Sequence, residues 1–124
     1  MKILFIDDSG LARRITLRYL KIHFPEAEVT TIGPVEFEDF IGKINEFQMV
    51  ITDLLMPGLL GEDVIKAIRE RTSEVFLVVL SANVQEKVKE KMYKMGVRFF
   101  LDKPLTNEKI ISLREAYYAG KKDS

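Results

Sequence analysis

Five short apolar runs, each followed by a longer amphipathic stretch, limit what this chain can fold into more than any other feature. They are Lys2–Ile6, Ala27–Ile32, Met49–Thr52, Val75–Leu80 and Val97–Leu101. Short strands alternating with helical stretches are the pattern of βα units, and βα units build a parallel sheet. The first run is almost wholly apolar, as a strand covered on both faces must be. The second, with Thr30 and Thr31, is the most polar and is expected at an edge. The fold class that follows is α/β.

The stretches between the runs read as helices. Leu11 to Phe24 places Leu11, Ile15 and Ile22 near one stripe, with Arg13, Arg14, Arg18 and Lys21 on a wet face. Ser9 is suited to cap this helix, because its hydroxyl can accept an orphan amide proton. Val35 to Phe47 carries Phe37, Phe40, Ile41, Ile44 and Phe47 at helical spacing, with Gly42 a mild cost. Glu62 to Arg71 begins acidic and ends basic, in favour with the helix dipole. A fourth helix runs from Gln85 to Met95 and stops at Gly96, which invites a left-handed cap. Thr106 or Asn107 caps a fifth that runs to Ala119, before Gly120. The expected organisation is one domain over residues 1–120 and a short frayed tail over 121–124.

Composition narrows the function. Lys+Arg and Asp+Glu both number 19 among 124 residues, so the formal net charge is zero. A general nucleic-acid binder would show a basic excess, and an anionic membrane would not be held by net charge. There is no cysteine, which removes disulfides and thiol chemistry, and the single His23 cannot build a histidine-rich metal site. No run approaches the ~20 apolar residues of a membrane span, and the start lacks the pattern of a signal peptide. A cytoplasmic protein is the expectation.

The ends of the runs carry the chemistry. The first ends in Asp7-Asp8, the third in Asp53, the fourth in Ser81 and the fifth in Asp102-Lys103-Pro104. In open α/β sheets ligands bind at the carboxyl ends of the strands, so residues far apart in sequence can converge there. Three close carboxylates repel one another unless something positive joins them. Mg2+ suits such a set, because it is hard, prefers oxygen and keeps positions for water and phosphate. A cation and an ammonium together stabilise a phosphoryl group in transfer, and one carboxylate could serve as nucleophile.

These residues resemble the motif set of the CheY-like receiver domains of response regulators. The resemblance covers essentially the whole chain. It rests on Asp7-Asp8, on Asp53 opening an Asp-x-x-Met-Pro-x-x-x-Gly stretch through Met56, Pro57 and Gly61, on Ser81-Ala82, on Gly96, and on Lys103-Pro104. It implies a flavodoxin-like (βα)5 sandwich with strand order 2-1-3-4-5. It implies that Asp53 accepts phosphate from a phosphohistidine on a sensor histidine kinase or a histidine phosphotransfer protein. Asp8, Asp53 and the carbonyl of Leu55 would hold Mg2+, with Asp7 acting through a water. Lys103 would pair with Asp53 and then with a phosphoryl oxygen. Ser81 would donate a hydrogen bond to another, and Phe100, the aromatic switch position, would follow it inward. The Lys103-Pro104 bond is often cis in this family. Leu55 and Asn83 occupy the positions that tune hydrolysis.

The implied role is a signalling switch that catalyses its own phosphorylation and dephosphorylation and has no separate substrate. With only a short tail after the fifth helix, it is expected to signal by docking through the fourth helix, fifth strand and fifth helix. The output partner would be a protein such as a flagellar motor component or a phosphatase, in chemotaxis or a phosphorelay. A monomer is expected, with weak dimerisation the alternative. Two other readings remain: a haloacid-dehalogenase-like phosphohydrolase using Asp7, which would need an acid where Ser9 stands, and a receiver-fold binding module that is not phosphorylated. Taken singly, Asp7 or Asp8 is an ordinary helix cap, Ser81 a turn residue and Lys103 a solvated charge; it is the set that carries the argument.

Overall fold

The computed structural model describes residues 1–82 and 85–122. Five strands form one parallel sheet: β1 Lys2–Ile6, β2 Glu28–Ile32, β3 Met49–Thr52, β4 Phe76–Ser81 and β5 Val97–Asp102. Their order is β2-β1-β3-β4-β5, so the polar second strand is indeed an edge. The five helices are α1 Gly10–His23, α2 Phe37–Ile41, α3 Gly61–Arg71, α4 Glu86–Lys94 and α5 Asn107–Lys122. This is the flavodoxin-like sandwich, in which β1 and β3 lie side by side with Ile6 opposite Thr52. That register brings Asp7 and Asp53, the next residues of each strand, to one edge.

Alternation of side chains along the strands sorts the core into two layers. Ile3, Phe5, Met49, Ile51, Val78 and Leu80 face Leu20 and Phe24 of α1 and Ile110, Leu113 and Tyr117 of α5. Leu4, Ile6, Val50, Leu77 and Val79 face Phe37 of α2, Val64, Ile65 and Ile68 of α3, and Met92 of α4. The central strands are closed to solvent on both sides, which is why their sequences show no polar alternation.

Three expectations are corrected. The α1 stripe is not Leu11, Ile15 and Ile22, which are all exposed; the helix buries Thr16 and Leu20 instead. Apolar spacing cannot say which of two stripes meets the sheet when one of them contains a threonine. The long second helix is broken: α2 has five residues and is flanked by 3-10 turns at Pro34–Glu36 and Ile44–Glu46. Its end falls at Gly42, where backbone freedom weakens a helix. Phe37, Ile44 and Phe47 are nevertheless buried. The third concerns the end of the chain: α5 continues through Gly120 to Lys122. Gly120 has no left-handed φ, and a Cβ there would stand 3.8 Å from the Phe76 ring, in ordinary contact. Asp123 and Ser124 lie outside the described residues.

Two details of β4 and β5 matter for the site. Leu77 pairs with Val97 but Val78 pairs with Phe99, so Arg98 is the extra residue of a bulge. The bulge returns Phe100 to the side of Val97, against α4, where unbroken alternation would have turned it toward α5. Gly96, just before β5, has φ of 104° as expected. A Cβ there would collide with Arg69, whose guanidinium donates to the carbonyls of Val75 and Gly96 at 2.9 and 2.8 Å.

Candidate functional site

The strand ends converge as the spacing predicts. Asp7 is fully buried. One of its carboxylate oxygens accepts from the Ser9 amide at 2.9 Å, and the other accepts from Lys103 Nζ at 2.9 Å. Asp53, almost buried, accepts from the Leu54 amide at 2.7 Å and from the same Lys103 Nζ at 3.2 Å. Lys103 therefore bridges the ends of β1 and β3 from beyond the end of β5, two strands from β3 and three from β1. Asp8 stands exposed beside them, and a carboxylate oxygen from each of Asp7, Asp8 and Asp53 lies within 4.8 Å of the others.

Local structure explains each placement. Ser9 caps α1 by accepting from the Ala12 amide at 3.2 Å, so the chain turns sharply after the two acids. Asp53 donates its own amide to the Ile6 carbonyl at 3.0 Å, which continues the β1–β3 ladder by one rung. The Gly61 amide donates to the Leu54 carbonyl at 2.8 Å. A Cβ on Gly61 would collide with the Asp53 carbonyl, so only glycine lets α3 start this close to the acid. Lys103 is fixed by its amide, which donates to the Ser81 carbonyl at 3.0 Å. The Lys103–Pro104 peptide bond is cis.

The electrostatics follow from burial and crowding. Burial pushes the Asp53 carboxyl above the ordinary aspartate range; Lys103 pulls it down and Asp7 pushes it up, and the net direction is up. For Lys103, burial alone would favour the neutral amine. Hydrogen bonds and charge from Asp7 and Asp53 outweigh it and hold the ammonium above its usual value. One ammonium thus serves two carboxylates while a third stands by without it. An all-oxygen donor set with surplus negative charge fits a hard divalent cation such as Mg2+.

The remaining predicted residues are spread around this centre. Ser81 is buried at the end of β4, opposite Asp102. Leu55 follows Asp53 in the loop before α3, with its side chain exposed. Phe100 is half-buried on β5 and meets Tyr93 of α4 edge-on, with ring centroids 4.9 Å apart. Asn83 lies outside the described residues. Arg13, read from sequence as part of a wet helix face, instead donates to the Asp7 carbonyl at 2.6 Å; nothing in its spacing announces that contact. A cavity of about 540 Å³ opens at the opposite edge of the sheet among Thr72, Glu74, Arg98 and Gly120, and shares no residue with the acidic cluster.

Comparison with known proteins gives the arrangement a family. The family described as response regulator receiver domain matches residues 3–115. The chain belongs to that family. The receiver domain is 28% identical over 120 residues to the two-component response regulator ARR17 of Arabidopsis thaliana, covering 85% of this chain and 76% of that protein. It is 27% identical to the cell cycle transcriptional regulator CtrA of Caulobacter vibrioides, where it spans 48% of the relative's length. Among solved structures, a response regulator receiver domain protein from Clostridium thermocellum superposes with a TM-score of 0.83 at 27% identity, covering 99% of this chain and 98% of that one. The chemotaxis protein CheY4 of Vibrio cholerae shares the fold, with a TM-score of 0.78 at 23% identity, over 92% of this chain and 95% of that one. The receiver domain is thus a two-component signalling module, a class that is generally not enzymatic. Among the described residues no helix is long and apolar enough to cross a membrane.

Proposed function

We propose that this receiver domain is switched by phosphorylation of Asp53. The observation that carries the reading is the Lys103 bridge: one ammonium, 3.2 Å from Asp53 and 2.9 Å from Asp7, beside a surplus carboxylate. A carboxylate oxygen of Asp53 attacks the phosphorus of a phosphohistidine on a sensor kinase or a histidine phosphotransfer protein. The P–N bond breaks, and the histidine nitrogen leaves with the electron pair. Lys103 stays within reach of both the acceptor and the incoming phosphoryl oxygens. Asp8, Asp53 and the Leu55 carbonyl would hold Mg2+, with Asp7 acting through a water. When bound, the ion neutralises charge on the phosphoryl oxygens.

The buried Ser81 hydroxyl then turns to a phosphoryl oxygen, and Phe100 moves into the space it leaves. Phe100 is poised for this, since it shares its layer with Val79 and touches Tyr93 of α4. The α4–β5–α5 surface so reshaped docks an output protein, in a chemotaxis-type or phosphorelay pathway. The phosphohydrolase alternative gains nothing from the geometry, because Ser9 stands where its second acid is needed and is spent as a helix cap.

The test is intact-protein mass after incubation with a small phosphodonor and Mg2+. One phosphoryl group should add to the wild type and none to Asp53→Ala. An unmodified wild type, or an Asp53→Ala variant phosphorylated to the same yield, refutes the assignment.

A further inference from the structure

Asp8 is the one acid of the cluster whose side chain nothing holds among the described residues. Asp7 is fixed by the Ser9 amide and Lys103, and Asp53 by the Leu54 amide and Lys103. Asp8 is exposed and has no side-chain hydrogen bond or ion pair among the described residues. Its aim therefore depends on its backbone. The Asp7 carbonyl belongs to the same planar peptide as the Asp8 amide, so whatever grips that oxygen sets the plane from which Asp8 departs.

Arg13 grips it. Its Nη1 donates to the Asp7 carbonyl at 2.6 Å, a charge-assisted bond of the stronger kind. The guanidinium packs beside two glycines: a Cβ on Gly10 would stand 3.6 Å from Nη2, and one on Gly33 would stand 3.6 Å from Nη1, both in ordinary contact. Gly10 opens α1, and Gly33 follows β2. One planar group thus joins the β1–α1 loop, the first turn of α1 and the turn beyond β2. The neighbouring Arg14 and Arg18 are exposed, whereas Arg13 is half-buried.

We infer that Arg13 is a positioning residue for cation binding: it fixes the Asp7–Asp8 peptide so that the otherwise unheld Asp8 carboxylate faces Asp53. The inference rests on the proposed cation site and goes beyond it, since Arg13 is not among the residues that would hold the cation. Partners that orient metal ligands from behind cost roughly 10–100-fold in metal affinity when removed.

The experiment is a Mg2+ titration followed by the amide NMR signals of Asp8 and Asp53, with phosphorylation rates measured at low and saturating Mg2+. Arg13→Met keeps the apolar stem and removes the donors. It should bind Mg2+ about tenfold more weakly and phosphorylate more slowly at low Mg2+, with the rate restored when the ion saturates. Arg13→Lys, which keeps a cationic donor and is the gentler variant should Arg13→Met fold poorly, should lose less. Arg14→Ala should match the wild type. Unchanged Mg2+ affinity in folded Arg13→Met, or in Arg13→Lys if only that folds, overturns the inference. So does a rate loss that is equal at all Mg2+ concentrations, since a staple serving only α1 would give that. A wild type that binds Mg2+ yet takes no phosphate would sink the phosphorylation reading and leave this one standing.

Discussion

The middle of the sheet and its carboxyl edge lie two or three residues apart along each strand, yet they are built on opposite terms. In the middle, Leu4, Phe5, Val50, Ile51, Val78 and Val79 are closed to solvent, and each meets apolar neighbours from a helix layer. At the edge, Asp7 and Asp53 are also buried, but they face each other, and a single lysine serves both. The first arrangement is held by packing; the second gathers three carboxylates around one ammonium. A well-packed interior can hold acids closer than they would settle alone, which separates the stability of the fold from the chemistry of the site along one axis.

The sharpest way to test that separation is to damage the interior alone. Ile65 on α3 is fully buried against the β1–β3–β4 face. Ile65→Ala should destabilise by about 3 kcal/mol, as removal of a buried aliphatic chain leaves a cavity. Urea unfolding measures the loss. The fraction still folded should bind Mg2+ with wild-type affinity, and a parallel loss of affinity would show that interior and edge are not separable.

Cutting the one bridge at the edge should cost less. Lys103→Met leaves Asp7 fully buried with only the Ser9 amide. Removing one partner of a buried pair is costly because the other charge is stranded; Lys103 is partly exposed, so solvent screens part of it. A loss of about 1–3 kcal/mol is expected in metal-free urea unfolding. Mg2+ should raise the melting temperature of this variant more than that of the wild type, because the ion then supplies the only cation. Equal Mg2+ effects would mean that Lys103 is not what balances the acids.

How much of this contrast was legible in the sequence also divides along the strands. The central strands were readable because burial on both faces forces apolar runs, and their ends because Asp7, Asp8, Asp53 and Lys103 interrupt those runs abruptly. The helices were harder. On α1 the buried stripe contains Thr16 and the exposed one contains Leu11, Ile15 and Ile22, so hydrophobicity pointed to the wrong side. The break of α2 at Gly42 depends on a balance between glycine's cost and the burial of Ile44 and Phe47, which spacing alone does not weigh. The bulge at Arg98 places Phe100 in its layer, and no residue in the run marks it. The contact of Arg13 has no sequence signature because its partner is a backbone carbonyl, and backbone partners leave no trace in residue type.

The smallest effect is the most telling, because its sign opposes ordinary mutational damage. Asp53 holds its proton more tightly in the folded chain than at the ordinary aspartate value of 3.8, first because it is buried and further because Asp7 faces it. The folded state thus binds more protons than the unfolded one in the window between 3.8 and the raised value, and stability falls as pH rises through that window. The penalty is fully present once the pH stands above that window. Asp53→Asn carries no such charge and leaves Lys103 with Asp7 for a partner. In metal-free buffer at neutral pH it should melt a few degrees above the wild type. That gap should narrow as pH is lowered below the window, and narrow again when Mg2+ is added, since the ion stabilises the wild type more. A variant that melts at or below the wild type in metal-free neutral buffer would mean that the carboxyl edge is already balanced by Lys103, and that nothing at the site waits for a cation.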